Sequence, residues 1–243
     1  MARVELSHPG KFNAMSRGMW RELKRQVVRL SGMPDLRCVI VAGEGGHFCA
    51  GGDIAEYPAF RFDEASLRVF HEEEVWPALQ ALLDCPVPLL AQIEGNCMGA
   101  GLEIASCCDI RLASVSSRFG APIARLGFPM APREARLVAR ELGTTVARSM
   151  LLEASVYGAD ALLAAGFLTA VVSETAVADE ASARAQRMAA LGPQAARLNK
   201  QTLRRLQSEP AGDPAWADVY AYASSDEHRE GIEAFLAKRT AAF

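Results

Sequence analysis

The feature that most constrains this chain is an alternation. Short strand candidates, LRCVIVAG, LLAQI, DIRLAS and GFLTAVVS, are separated by segments of helical period, with ARVEL as a further strand candidate at the N-terminus. From Ser16 onward, Met19, Leu23, Val27 and Leu30 recur at helical spacing, with charges between them. GMPD stops that helix, residues 64 to 83 read as a second, and DCPVP ends it. GAGLEIASCC reads as a helix, and another runs from Pro132 to Leu142, with proline in its first turn. Strands buried on both faces and joined by helices make a parallel sheet with right-handed crossovers, so the fold class is α/β. Beyond about residue 176 the pattern is almost entirely helical. A composition shift near residue 190 divides an α/β core, 1–190, from a helical appendage, 191–243, that packs on its own core or on a neighbouring subunit.

Composition narrows the function classes. Half of the 243 residues are hydrophobic and 23% are charged, which suits a packed core. The net charge of −3 gives no basic stripe for nucleic acid. No segment approaches the roughly 18 apolar residues of a membrane helix, and the start lacks a signal-peptide core. The six cysteines lie in apolar runs with no CxxC pair or zinc spacing, and the four histidines are dispersed. The expectation is a cytoplasmic protein with reduced, buried thiols and no metal site.

Two glycine-rich turns carry the chemistry. After LLAQI the segment GNCMGAGLE starts a helix at or near Gly99, where first-turn N–H groups lack internal partners and carry partial positive charge. Small residues at Gly99, Ala100 and Gly101 let a ligand approach them. FCAGGD offers the same resource at Gly51 and Gly52. Two such donors on one oxygen form an oxyanion hole, each typically worth ~3 kcal/mol in the transition state. Glu103 lies three residues past Ala100, near the same helix face, among apolar neighbours. A half-buried carboxyl there has a raised pKa and moves protons at neutral pH. Spacing alone leaves open that Glu103 is solvated and that the glycines only permit close helix–strand packing. A dinucleotide fingerprint fits poorly, because Ile104 stands where a third small residue belongs. No GxxxxGK[ST] phosphate loop is present.

These stretches, and others in order along nearly the whole chain, resemble the crotonase superfamily, the enoyl-CoA hydratase/isomerase family. HPGKFNAM is similar to the family's RPxxxNAL, and FCAGGDI to its F(S/A)(S/A)GxDl. IEGNCMGAGLEIASCCDIRLAS, RFGAPIARLGF and REGIEAFLAKR match further family segments. The resemblance implies a spiral of ββα units with a C-terminal helical trimerisation region, acting on acyl-CoA thioesters as homotrimers or hexamers. It implies no cofactor beyond the coenzyme A of the substrate. It gives the oxyanion-hole amides to Gly52 and Ala100, and puts Glu103 at the first of the hydratases' two catalytic glutamates. It places Ala50, Asp53, Ile54 and Gly99 along the coenzyme A path, with Phe235 and Lys238 touching coenzyme A bound in a neighbouring subunit.

The pattern also departs from the family. The second hydratase glutamate follows the proline of FgxPE, and here FGAPIA puts Ile123 there. An apolar side chain neither orients water nor exchanges a proton, so weak or absent hydratase activity is expected. PMAPREARL replaces the family's glycine-rich PGAGGTQRL, and Ala55 stands where many relatives carry lysine. Glu134 or Arg125 then becomes a possible pocket residue: Glu134 as a substitute acid, Arg125 as a ligand for a substrate carboxylate. The simpler readings are a helix N-terminal charge and a surface ion pair. Trp76 is a further possible pocket residue. For it, Phe70 and His71, core packing or a solvated face is the simpler reading, and HEEE at 71–74 reads as an exposed turn. Asp53 is expected to cap the next short helix. The reactions in view are isomerisation or hydration with Glu103 as a single acid/base. Decarboxylation, carbon–carbon cleavage and a non-catalytic acyl-CoA binder are the alternatives.

Overall fold

The structure, a computed structural model, describes residues 1–207 and 221–243. Five strands form the main sheet: β1 (Ala2–Leu6), β2 (Val39–Gly43), β3 (Leu89–Ile93), β5 (Ile110–Ser114) and β8 (Ala170–Val172). Their order is β1-β2-β3-β5-β8 and every pairing is parallel. Strand β3 is buried throughout because it is covered on both sides. Leu89, Ala91 and Ile93 enter the large core, while Leu90 packs with Leu112, Val177 and Ala181 in a smaller core. Helix α8 (Val177–Ala189) supplies that second cover.

Helix α1 (Arg17–Ser31) links β1 to β2. The Ser16 side chain caps it by accepting from the Met19 N–H, and it buries Trp20, Leu23, Val27 and Leu30. The expected helix over 64–83 runs from Glu64 to Asp84 in three parts: α2 (Glu64–Val69), a π-wound turn (Phe70–Val75) and α3 (Trp76–Asp84). The exposed turn expected at 71–74 is only half exposed. Glu72 and Glu73 face solvent, whereas Glu74 is buried and accepts hydrogen bonds from Arg17 at 2.7 and 2.8 Å and from Arg21 at 2.9 Å. Burial opposes its charge, but the Arg17 hydrogen bonds prevail and hold the carboxyl below its ordinary pKa.

A second sheet, absent from the sequence reading, joins β4 (Asn96–Met98), β6 (Arg118–Gly120) and β7 (Val156–Gly158), with β4–β6 parallel and β6–β7 antiparallel. Each strand has three residues, too few for a period to register. This sheet turns the chain so that β4 delivers α4 (Ala100–Cys107) beside the FCAGG loop, and backbone pairing of Cys49 with Cys97, a parallel β-bridge, ties that loop to β4. Arg111 of β5 is buried and donates to the Ala105 and Cys108 carbonyls at the end of α4, to the Phe167 carbonyl and to Glu141. A cation on these helix-end carbonyls fixes the far end of α4.

After β6 the chain forms α5 (Pro132–Leu142), α6 (Thr144–Leu152) and α7 (Ala159–Ala164). The helical appendage contributes α9 (Pro193–Leu206) and α10 (Asp226–Leu236); its residues 208–220 lie outside the described residues. Lys200 and Arg204 of α9 reach the core at Asp109, at 2.8 and 3.1 Å. All six cysteines are free and buried. Among the described residues, no helix is long and apolar enough to cross a membrane.

Candidate active site

Where the FCAGG loop meets the start of α4, a cavity of about 200 Å³ opens to the surface. Gly99 takes φ +45, ψ −107 just before α4, a conformation that suits glycine, and its carbonyl accepts from the Glu103 N–H. Gly101 is required for a different reason. A Cβ there would stand 2.8 Å from the Cys49 carbonyl oxygen, so only glycine lets α4 lie this close to the loop.

The two amides singled out in the sequence both belong to residues that line this cavity. Gly52 forms a parallel bridge with Met15, in which the neighbouring Gly51 carbonyl and Asp53 N–H make the hydrogen bonds. That pattern turns the Gly52 N–H away from its bridge partner. Ala100 is the first residue of α4, where helix geometry provides no acceptor. Among the described residues, neither N–H donates a hydrogen bond.

Glu103 lines the same cavity and is accessible only in part. Burial among apolar side chains raises its carboxyl to about 8, and the negative charge of nearby Glu134 adds to the effect. Such a group is mostly protonated at pH 7 yet loses its proton readily. Cys49 and Cys108, close by in sequence or space, are no rivals as nucleophiles, because burial pushes both thiols up to about 12.

Ala50, Gly99 and Ile123 also line the cavity, together with the half-exposed Ile54. Asp53 does not; it caps the 3₁₀ turn Ile54–Ala59 by accepting from the Ala55 N–H and pairs with Lys11 at 2.6 Å. Three possible pocket residues do not line this cavity. Arg125 is exposed and donates to the Ala154 carbonyl at 3.3 Å. It sits on the turn Pro122–Leu126, whose threefold winding puts Ile123 and the exposed Leu126 at the cavity and Arg125 away from it. Trp76 lines a separate groove of about 770 Å³ between α3, α5 and α9. It shares one face of α3 with Gln80 and Leu83, and Arg133 stands 5.6 Å over its ring. That groove is the larger and is lined mainly by polar and basic side chains. Glu134 is buried behind the cavity rather than on its wall; its Oε1 lies 3.1 Å from Nδ1 of His71, which does line it. Phe235 and Lys238 are exposed at the end of α10 and do not line this cavity.

Phe70 packs in the core as expected and also borders the cavity, which His71 lines as well; the sequence reading passed over Tyr57 and Arg61. The Tyr57 hydroxyl lies against Gly52. Arg61 stacks over the Phe128 ring at 3.6 Å and the Tyr57 ring at 4.8 Å, and burial lowers its guanidinium pKa. No period marks IAEYPAFRF, so only the tertiary structure brings these side chains in.

The family model for enoyl-CoA hydratase/isomerase matches residues 1–243. The chain belongs to the enoyl-CoA hydratase/isomerase family, the crotonases. It is 31% identical over 243 residues to the mitochondrial enoyl-CoA hydratase domain-containing protein 3 of Danio rerio, covering 98% of this chain and 82% of that one. It is 29% identical to a crotonyl-CoA hydratase of Syntrophomonas wolfei, over 100% of this chain and 94% of the relative. Among solved structures, an enoyl-CoA hydratase/carnithine racemase from Magnetospirillum magneticum superposes with a TM-score of 0.95 at 34% identity, covering 99% and 91% of the two chains.

Proposed function

We propose that this crotonase acts on acyl-CoA thioesters, holding the thioester oxygen at the Gly52 and Ala100 amides while Glu103 moves a proton at the adjoining carbon. The observation that carries this reading is one cavity lined by two residues with unengaged amides and by a carboxyl raised to about 8. Loss of an α-proton turns the carbonyl oxygen into an enolate oxygen. Donors aimed at that oxygen bind the enolate more tightly than the ground state. Glu103, ionised, takes the proton; protonated, it returns one to the same carbon or to the γ-carbon, which moves a double bond. Acting alone it supports isomerisation. Adding water needs a second group at the β-carbon, and Ile123 supplies none.

The test follows both products from 2-enoyl- and 3-enoyl-CoA, with Glu103→Gln beside the wild type. Loss of turnover by at least about 100-fold in the variant is expected. Efficient conversion that survives the substitution overturns the assignment.

A second reading concerns the acyl group. Arg61 lines the cavity, and among the described residues its guanidinium has no carboxylate partner. This favours acyl chains that end in a carboxylate, a role Arg125 is not placed to fill. Arg61→Ala is then expected to lower kcat/KM for a dicarboxylic acyl-CoA while sparing its unsubstituted counterpart. The coenzyme A moiety in this reading runs past Ala50, Ile54 and Gly99, and Phe235 and Lys238 meet it from a neighbouring subunit of a trimer or hexamer.

A further inference from the structure

On the wall of the same cavity, His71 meets the buried Glu134. Glu134 is 2% exposed, and among the described residues its one polar partner is Nδ1 of His71 at 3.1 Å. A buried carboxylate held by a single imidazole is a costly way to fill space. It sits in the first turn of α5, where the helix favours negative charge. His71 lies on the π-wound turn between α2 and α3, an irregularity that often marks functional sites. Its ring is seated edge-on to Phe70 at 5.0 Å, and Phe70 rests on Phe60 at 4.6 Å. A carboxylate on Nδ1 assigns the proton to that nitrogen and leaves the Nε2 lone pair free; among the described residues Nε2 has no partner. This is a base oriented by a carboxylate and facing a cavity that already holds a carboxyl acid.

We propose that His71, oriented by Glu134, activates the water that adds to the β-carbon of a 2-enoyl thioester, supplying the second group that Ile123 does not. The inference rests on the thioester reading above. In the step, the water oxygen bonds to the β-carbon and one water proton passes to His71 Nε2. The double-bond electrons move to the α-carbon and the thioester oxygen, held at the Gly52 and Ala100 amides. Protonated Glu103 then delivers its proton to the α-carbon. The site resets when His71 releases its proton to solvent and Glu103 takes one up. Glu134 is the positioning residue.

Two reactions of the purified full-length chain separate this inference from its basis. Exchange of the α-protons of butyryl-CoA in D₂O needs Glu103 and the two amides; hydration of trans-2-butenoyl-CoA needs His71 as well. In His71→Ala and His71→Asn the ratio of hydration to exchange is expected to fall about 100-fold or more. Added imidazole is expected to restore part of the hydration in His71→Ala, which repair of a structural defect would not do. Glu134→Gln is expected to lower kcat for hydration with KM within about twofold, and to add nothing further in a His71→Ala background. An unchanged ratio in both His71 variants overturns the inference, as does a wild type that exchanges α-protons without hydrating. A wild type that exchanges none removes the thioester reading, and the inference falls with it.

Discussion

At the scale of single residues, Glu103 links stability to chemistry. Its carboxyl stands at about 8 in the folded chain against an ordinary 4.5. Between those values the unfolded chain has released a proton that the folded chain still holds, so stability falls as pH rises through this window and levels off above it. Glu103→Gln lacks this dependence. Its melting temperature is expected to exceed that of the wild type at pH 8 and to converge with it toward pH 5, measured by calorimetry at both. A constant gap would place Glu103 in a wetter setting than described. The Ala100 amide admits a subtractive test as well. Ala100 is the first helical position of α4, where proline fits and its missing N–H breaks no helix bond. Ala100→Pro is expected to keep the fold and to lose activity by about 10²–10³-fold; activity at the wild-type level would exclude this amide from the oxyanion hole.

Among the elements, placement of α4 against the FCAGG loop decides whether the site exists. Gly101→Ala puts a methyl 2.8 Å from the Cys49 carbonyl, so helix or loop must shift. A loss of roughly 1–3 kcal/mol is expected in urea unfolding, with a larger proportional loss of turnover. The π-wound turn is held in turn by Arg17 and Arg21 on Glu74, and Glu74→Ala is expected to cost about 2 kcal/mol by the same measurement. These contacts explain what could be read in advance. The parallel sheet was legible because β2 and β3 are short, largely apolar runs that alternate with helical segments, and Glu103 was legible because it interrupts an apolar run. Strands β4, β6 and β7 are too short to carry a period. His71 was read as core or solvated face because HEEE resembles one, and the π winding that carries it has no signature in composition. Tyr57 and Arg61 reach the cavity through the loop's tertiary course alone.

For the whole molecule, the C-terminal region presents surface that a lone chain leaves uncovered. Ile232, Phe235 and Leu236 of α10 lie three and four residues apart and are 52%, 81% and 74% exposed. The proposed trimer buries them and brings Phe235 and Lys238 to a neighbour's coenzyme A. Light scattering after size exclusion is expected to report a trimer or hexamer, and Phe235→Glu a smaller species with weaker coenzyme A binding. A monodisperse, fully active monomer would contradict the shared site.

The central claim is that two main-chain amides polarise one thioester oxygen, and vibrational spectroscopy reads that oxygen directly. With a ¹³C-labelled thioester carbonyl in bound butyryl-CoA, the isotope-edited infrared band is predicted at lower frequency than in free butyryl-CoA, with much of the shift lost in Ala100→Pro. A bound carbonyl that absorbs where the free thioester does would contradict the account.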